Sequence, residues 1–348
     1  MATNLSLTSG SVLNGSPITF EISPTVVAGL PSFHRVVIDM EVGMSGVDPE
    51  TFRMYEPVLV EGKAVEFNTQ SVFKALRDAH EYSPEDTEFP LAKFRLKVYD
   101  EYMTEGVVHP TSPIYYPSAD AYASTIFGEL SDMERWLSTG IKAVQRLSCK
   151  PTIGQQLAAV GEQLVYAKPY DTPQLLTESN TLTNPVSVVA DIVNEGLQTI
   201  GGIEVYAMPA EEAKNRVVFR FINSFGVMES VSIPCPYKQT MQTTTNSFVV
   251  TRRETFNRFS RSVVRKEKNP EKWTFMTDPL NEEWMRWYLH EFLMAEHVWM
   301  FSGGAWLPCN LTSGEDEEVV IVDRTTDDVY TLTFTAELGI NGNPFPVV

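Results

Sequence analysis

At 348 residues, with 43% hydrophobic and 11% aromatic content, the chain exceeds one average domain and can fill two or three packed cores. Its formal charge of −18 repels nucleic acid and anionic membrane surfaces, which argues against a general nucleic-acid binder. The opening "MATNLSLTSGSVLNGSPITF" lacks the basic and apolar regions of a secretory signal, and no stretch reaches the ~18 uninterrupted apolar residues of a membrane span.

From residue 17 to 67 the strand signals are short. "ITFEI" alternates, "RVVIDMEVG" reads as a half-buried strand, and "TFRMYEPVLVEGKAVEF" holds an "EGK" turn between two strands. A helix is expected over "NTQSVFKALRDAH", with Asn68 or Thr69 as cap and Val72, Phe73, Leu76 and Ala79 on one face. "KFRLKVYDEYM" alternates cleanly, with Phe94, Leu96 and Val98 facing one way. These pieces make a β-sandwich with one short helix. The three prolines of "HPTSPIYYPSAD" read as an extended connector, neither strand nor helix. "LSDMERWLSTG" then offers a capping box from Ser131 and Glu134, with a stop at Thr139-Gly140.

"QQLAAVGEQ" is irregular or helical and leads into the strand "LVYAKPY", while "DTPQLLTESNTLTNP" is expected to be a long exposed loop. Strands return at "VSVVADIV", "GGIEVYAM", "RVVFRFI", "VMESVSI" and "NSFVVTR", at spacings that suit a second sandwich. Within "VVFRFINSFGVMESVSIP" the Asn-Ser-Phe-Gly core reads as a hairpin turn. Val217, Phe219 and Phe221 then face one way and Val218, Arg220 and Ile222 the other, so both faces need cover. A buried helix is expected at about 279–296, capped by Asp278 with Pro279 in its first turn. "HVWMF", "AWLPCNL", "EEVVIVD" and "VYTLTFTAEL" follow as strands. The fold class is thus mainly β, with multi-domain sandwich units of immunoglobulin or fibronectin style and a few short helices. The expected division is residues 1–112, a connector at 113–160, a sandwich at 161–250, and a β-rich domain with the buried helix at 251–348.

The motifs that carry chemistry are weak. Cys149, Cys235 and Cys309 are odd in number and widely spaced, a pattern of reduced, mostly buried thiols that fits a reducing cytoplasm. His290 and His297 bracket "HEFLMAEH", but seven residues at ~1.5 Å rise put them ~10 Å apart, too far for two ligands of one zinc ion. His34, His80 and His109 stand apart from any nucleophile in sequence. The acidic clusters at 313–318 and 323–328 lack the calcium-loop pattern and read as hairpin tips. No phosphate loop, dinucleotide fingerprint or nucleophile elbow occurs. Catalytic, cofactor and metal residues are accordingly assigned to none, and the chain is expected not to be an enzyme; a hydrolase with a dispersed site ranks last. Trp284, Trp287, Tyr288, Trp299 and Trp306 suit either a core or a sugar-stacking platform.

One segment opposes the global charge. Between Arg252 and Lys272 eight basic residues face three acids, net +5. Arg252, Arg253, Arg258, Arg261, Arg265, Lys266 and Lys268 are the candidate partner interface, because a basic element meeting the acidic surface of a neighbouring subunit fixes register. A solvated basic face, or single-stranded nucleic acid stacked on Phe256 and Phe259, are the other readings.

"GELSDMERWLS", "CKPT", "GEQLVYAKPY", "FRFINSFGVMES", "WYLHEFLMAEHVWMF", "AWLPCNL" and "VYTLTFTAEL" together resemble structural proteins of tailed phages and prophages of Bacteroidetes, over roughly residues 125–340. The resemblance implies a β-rich, non-enzymatic virion component of the tail, baseplate or adhesion apparatus, made in the host cytoplasm and assembling as an oligomer. Its implied partners are copies of itself and other virion proteins, without cofactor, membrane span or nucleic-acid sequence readout. The alternative expectation is a carbohydrate-binding sandwich that uses tryptophan faces to hold a host glycan.

Overall fold

The computed structural model describes residues 3–27, 33–44, 47–118, 120–130, 140–152, 154–177, 182–253, 258–313 and 330–338. Strands dominate them, as the alternating patterns predict. Contacts divide the chain into two compact units that interleave in sequence: one holds residues 1–149, 166–189 and 222–229, the other 150–165, 190–221 and 230–348.

The first unit contains β1 (Asn4–Ser11), β2 (Thr19–Ser23), β3 (Phe33–Met44), β4 (Glu50–Pro57), β5 (Val65–Asn68), helix α1 (Gln70–Asp78), β6 (Leu91–Thr104), β7 (Val107–Pro110), β8 (Ile114–Tyr116), β9 (Ala123–Ile126) and β10 (Ile141–Lys142). One sheet runs β10-β1-β2-β5; the other runs β4-β3-β6-β7, with β8 and β9 also on β6. Phe20 of β2 meets Phe94 of β6 edge-on with centroids 6.3 Å apart, and Phe73 of α1 packs on Phe94 at 5.5 Å. The two sheets therefore share one apolar core, and the alternation of β6 places Phe94, Leu96 and Val98 in it, all fully buried.

β3 is covered more completely than a half-buried strand. Its outer face carries cross-strand ion pairs, Arg35 to Glu101 at 2.6 Å and Arg95 to Glu41 at 2.7 Å, while Arg53 grips both oxygens of Asp39 at 2.6 and 2.9 Å. The Arg53 guanidinium holds the Asp39 carboxyl below its ordinary range, against the opposing effect of burial. Helix α1 starts where expected: Asn68 accepts the Gln70 N–H at 2.9 Å, and Val72 and Phe73 are its buried side chains, whereas Ala79 is exposed.

The second unit contains β11 (Gln155–Ala159), the first part of β12 (Gln163–Ala167), the end of β13 (Ser187–Asp191), β14 (Gly196–Ile200) and β15 (Ile203–Met208). Beyond them come β16 (Arg216–Ile222), β17 (Met228–Pro234), β18 (Lys238–Arg253), β19 (Arg258–Met276), helix α2 (Glu282–Trp287), β20 (Val298–Ser302), β21 (Ala305–Ser313) and β22 (Thr333–Leu338). A seven-stranded sheet runs β17-β16-β20-β21-β22-β19-β18. Its inner face gathers Phe219, Phe275 and Phe334, and Phe292 sits edge-on to Phe219 at 5.5 Å and to Phe334 at 5.4 Å. Asn281 caps α2 by accepting the Trp284 N–H at 2.9 Å. The helix continues as a π-turn over Tyr288–Phe292, closed by the Leu293 N–H on the Tyr288 carbonyl at 2.9 Å.

Several expectations change. The four consecutive domains at 1–112, 113–160, 161–250 and 251–348 do not match the contact division, because the chain passes between the units within β12, β13 and the β16–β17 hairpin. The proline-rich connector supplies the end of β7, where Pro110 pairs with Glu101, and β8, whose three residues pair with β6 between Pro113 and Pro117. "QQLAAVGEQ" forms β11, parallel to β15, followed by a turn. The loop after residue 170 is not simply exposed, since Leu176 is fully buried and Gln174 bridges to Val144. The buried helix ends at Phe292 rather than 296, and its cap is Asn281, not Asp278. Of the three free cysteines only Cys309 is buried; Cys235 is exposed. The capping box at Ser131–Thr139, the strand "EEVVIVD" and nearly all of both acidic clusters lie outside the described residues.

The hairpin turn of β16–β17 is built as its residues suggest. The Asn223 carboxamide oxygen accepts the N–H groups of Phe225 and Val227 at 3.0 and 3.2 Å, and its amide donates to the Leu147 carbonyl at 2.8 Å. Gly226 has φ +74°, and a Cβ there would lie 1.5 Å from the Phe127 carbonyl oxygen. Only glycine fits.

Candidate functional site

Two features of the second unit stand out, a long ribbon and a cleft. β18 and β19 pair antiparallel from Lys238↔Thr274 to Arg253↔Arg258. β22 joins β19 only over Lys272–Met276, and β18 is the edge of the sheet. Among the described residues, the pairs from Thr243↔Lys268 to Arg253↔Arg258 therefore form a two-stranded ribbon without a third strand. At ~3.4 Å per residue its eleven residue pairs extend for roughly 35 Å. All seven candidate interface residues fall in it: Arg252 and Arg253 end β18, and Arg258, Arg261, Arg265, Lys266 and Lys268 follow along β19. The periodic signal in "NSFVVTR" marks only the last part of β18; its Thr- and Gln-rich beginning hides the strand's length.

The cleft lies on the outer face of the sheet. Strand alternation sends Phe219 and Phe221 inward, so Arg216, Val218 and Arg220 of β16 point outward. Register then aligns Arg220 with Trp299, and Phe301 with Trp306. The result is an open cavity of about 410 Å³ bordered by Glu162, Gln163, Asp191, Arg216, Phe301 and Trp306. Both faces of the apolar-looking hairpin are covered, as expected, with Arg220 and Ile222 buried on the second face, and only Arg216 and Val218 open onto this cleft.

Its polar side is tightly wired. The turn between β11 and β12 carries Glu162, whose carboxylate accepts the Ala159 N–H at 2.9 Å and the Ser232 hydroxyl at 3.0 Å. Arg216 donates to the same Ser232 hydroxyl at 2.8 Å, to its carbonyl at 2.6 Å and to Asp278 at 2.7 Å. Burial pushes the Glu162 carboxyl above its ordinary range; the Ala159 and Ser232 hydrogen bonds and the Arg216 charge oppose that rise. At the rim the Gln163 amide donates to Asp191 at 2.8 Å. The Arg220 guanidinium lies 4.4 Å over the Trp306 ring, and the Phe301 and Trp306 rings meet at 5.0 Å with a 55° tilt.

Burial separates the tryptophan set that sequence leaves ambiguous. Trp284, Trp287, Tyr288 and Trp299 are buried, and Trp306 alone borders the cleft half-exposed. Phe301, which the sequence gives no reason to single out, is 44% exposed beside it. Lys150 is another residue that sequence reasoning misses: it is buried, donates to Gln156 at 3.1 Å and to the Ser230 carbonyl at 3.0 Å, and lies 4.9 Å over Trp287. In the first unit, His34 sits between Glu61 at 3.6 Å and Asp100 at 3.8 Å. Among the described residues no group of three or more His, Cys, Asp or Glu side chains is placed to hold a metal ion, and no helix is long and apolar enough to cross a membrane. In comparisons with known proteins, no family model, curated protein or solved structure matches the chain.

Proposed function

We propose that the chain is a non-enzymatic structural subunit that assembles with copies of itself through the β18–β19 ribbon, as a component of the tail or baseplate region of a tailed-phage particle. The observation that carries this reading is the ribbon itself. Among the described residues the ribbon has no third strand; a two-stranded hairpin is marginal in water, and a third strand or a packed face is what makes such an element stable. A neighbouring subunit supplies either one. Charge supports the same partner: the segment 252–272 is net +5, which leaves the rest of the chain at −23, so each copy offers an acidic surface to the basic ribbon of the next. The resemblance of segments across residues 125–340 to phage structural proteins supports reading this assembly as part of a virion, with other virion proteins as further partners.

The experiment is sedimentation velocity of the full chain in low and high salt, beside a variant carrying Arg261→Glu, Arg265→Glu and Lys266→Glu. Assembly through the basic ribbon predicts a species larger than a monomer that weakens as the Debye length shrinks toward ~3 Å in ~1 M salt, and that is lost in the variant. A monomer under all conditions contradicts it.

A further inference from the structure

We propose that the cleft bordered by Trp306, Phe301, Gln163 and Asp191 is a binding site for a neutral saccharide. Its wall is aromatic and open: Phe301 and Trp306 are cross-strand neighbours on the outer face, tilted by 55° to one another, and together they present an angled apolar surface to the cavity. Sugar rings offer apolar C–H faces that pack on such surfaces. The Arg220 guanidinium over the indole fixes that ring before any ligand arrives, which lowers the ordering cost of binding.

The same cleft is lined by groups that recognise hydroxyls. The Gln163 amide spends one N–H on Asp191 and keeps the other, and the Asp191 carboxylate retains acceptor positions at the exposed rim. An amide beside a carboxylate suits a ligand whose hydroxyls both donate and accept. The charge of the cleft selects against an anionic ligand. Arg216 is committed to Ser232 and Asp278, so an anion entering here meets Asp191 and Glu162 without a matching cation.

The cavity of about 410 Å³ falls within the ~300–1,000 Å³ typical of small-ligand sites. Both oxygens of Glu162 are held by protein donors, so that carboxylate shapes the floor rather than reaching for a scissile bond, and the site binds without hydrolysing. The inference stands apart from the ribbon, since no residue of the cleft belongs to β18 or β19.

The test is an array of immobilised cellotriose, maltotriose, chitotriose and mannotriose, with sialyllactose and inorganic phosphate as charged competitors, followed by titration against intrinsic tryptophan fluorescence. At least one neutral trisaccharide is expected to bind saturably and to change the fluorescence. Trp306→Ala should weaken that binding about tenfold or more. Phe301→Ala, at an exposed position that keeps the fold by circular dichroism, should weaken it several-fold and decides the matter if Trp306→Ala fails to fold. Binding confined to sialyllactose, binding displaced by phosphate, affinity unchanged in Phe301→Ala, or no neutral trisaccharide bound would each overturn the proposal.

Discussion

The guanidinium of Arg220 lies 4.4 Å over the ring of Trp306, two strands away in the same sheet. Trp306 borders the cleft from β21 and Arg220 is buried behind it on β16, and their attraction holds the indole in place. A double-mutant cycle with Arg220→Ala and Trp306→Ala should give a coupling of about 1 kcal/mol in urea unfolding, the magnitude of a partly desolvated cation–π pair. Additive effects would show that the two side chains are merely neighbours.

Gly226 and Gly106 share a left-handed backbone but not their surroundings. At Gly226 (φ +74°) an added Cβ meets the Phe127 carbonyl oxygen at 1.5 Å; at Gly106 (φ +80°) it meets nothing within 4 Å. Gly106→Ala should therefore cost only the backbone term, about 1–2 kcal/mol. Gly226→Ala should cost more than about 3 kcal/mol or prevent folding, because the turn must move bodily. Equal urea midpoints for the two variants would contradict this difference.

Two carboxylates should give opposite pH responses. Asp39 has a folded pKa lowered from 3.8 by Arg53, so its contribution is present above that value and is lost as pH falls through the folded pKa. Asp39→Asn should flatten the acid limb of the stability curve. Glu162 has a folded pKa raised from 4.5, chiefly by burial, so its contribution is present below that value and is lost as pH rises through the folded pKa. Glu162→Gln should remove that loss and become relatively more stable above the window. Urea midpoints measured from pH 3 to 8 check both signs, and a shared direction would refute the assignment.

The sandwich of the first unit was legible because β6 alternates over its length and α1 repeats its apolar residues at helical spacing. The interleaving of the units was not, since it depends on where the β16–β17 hairpin docks, which the sequence around Asn223 and Gly226 marks only as a turn. The ribbon was half legible. Its basic residues stand out by charge, but Thr-rich "KQTMQTTT" has no alternation to show that the strand begins at Lys238. The cleft was least legible: Trp299 and Trp306 share one face of the sheet and differ only in how much covers them, and Gln163 and Asp191 come from β12 and β13, more than a hundred residues before Trp306. Likewise the capping role fell to Asn281 because the helix starts at Glu282, and Asp278, four residues earlier, is engaged by Arg216, a partner sixty-two residues away.

Cys235 is exposed and Cys309 buried, and burial pushes the Cys309 thiol up to about 12. In the folded chain a maleimide reagent at neutral pH should label Cys235 and leave Cys309 untouched until the protein unfolds. Labelling of Cys309 at native rates, followed by peptide mass spectrometry, would contradict its burial in β21 beside Leu338 of β22.

The central claim is that the ribbon joins one copy to the next, and its most direct test is mass in solution. A variant in which residues 244–267 are replaced by Asn-Gly, closing Thr243 onto Lys268 with a two-residue turn, leaves the rest of the sheet intact. Multi-angle light scattering should give a multiple of the 39.1 kDa chain mass for the full protein and a single folded monomer for the variant. A monomeric full chain, or a variant that assembles like it, would contradict the claim.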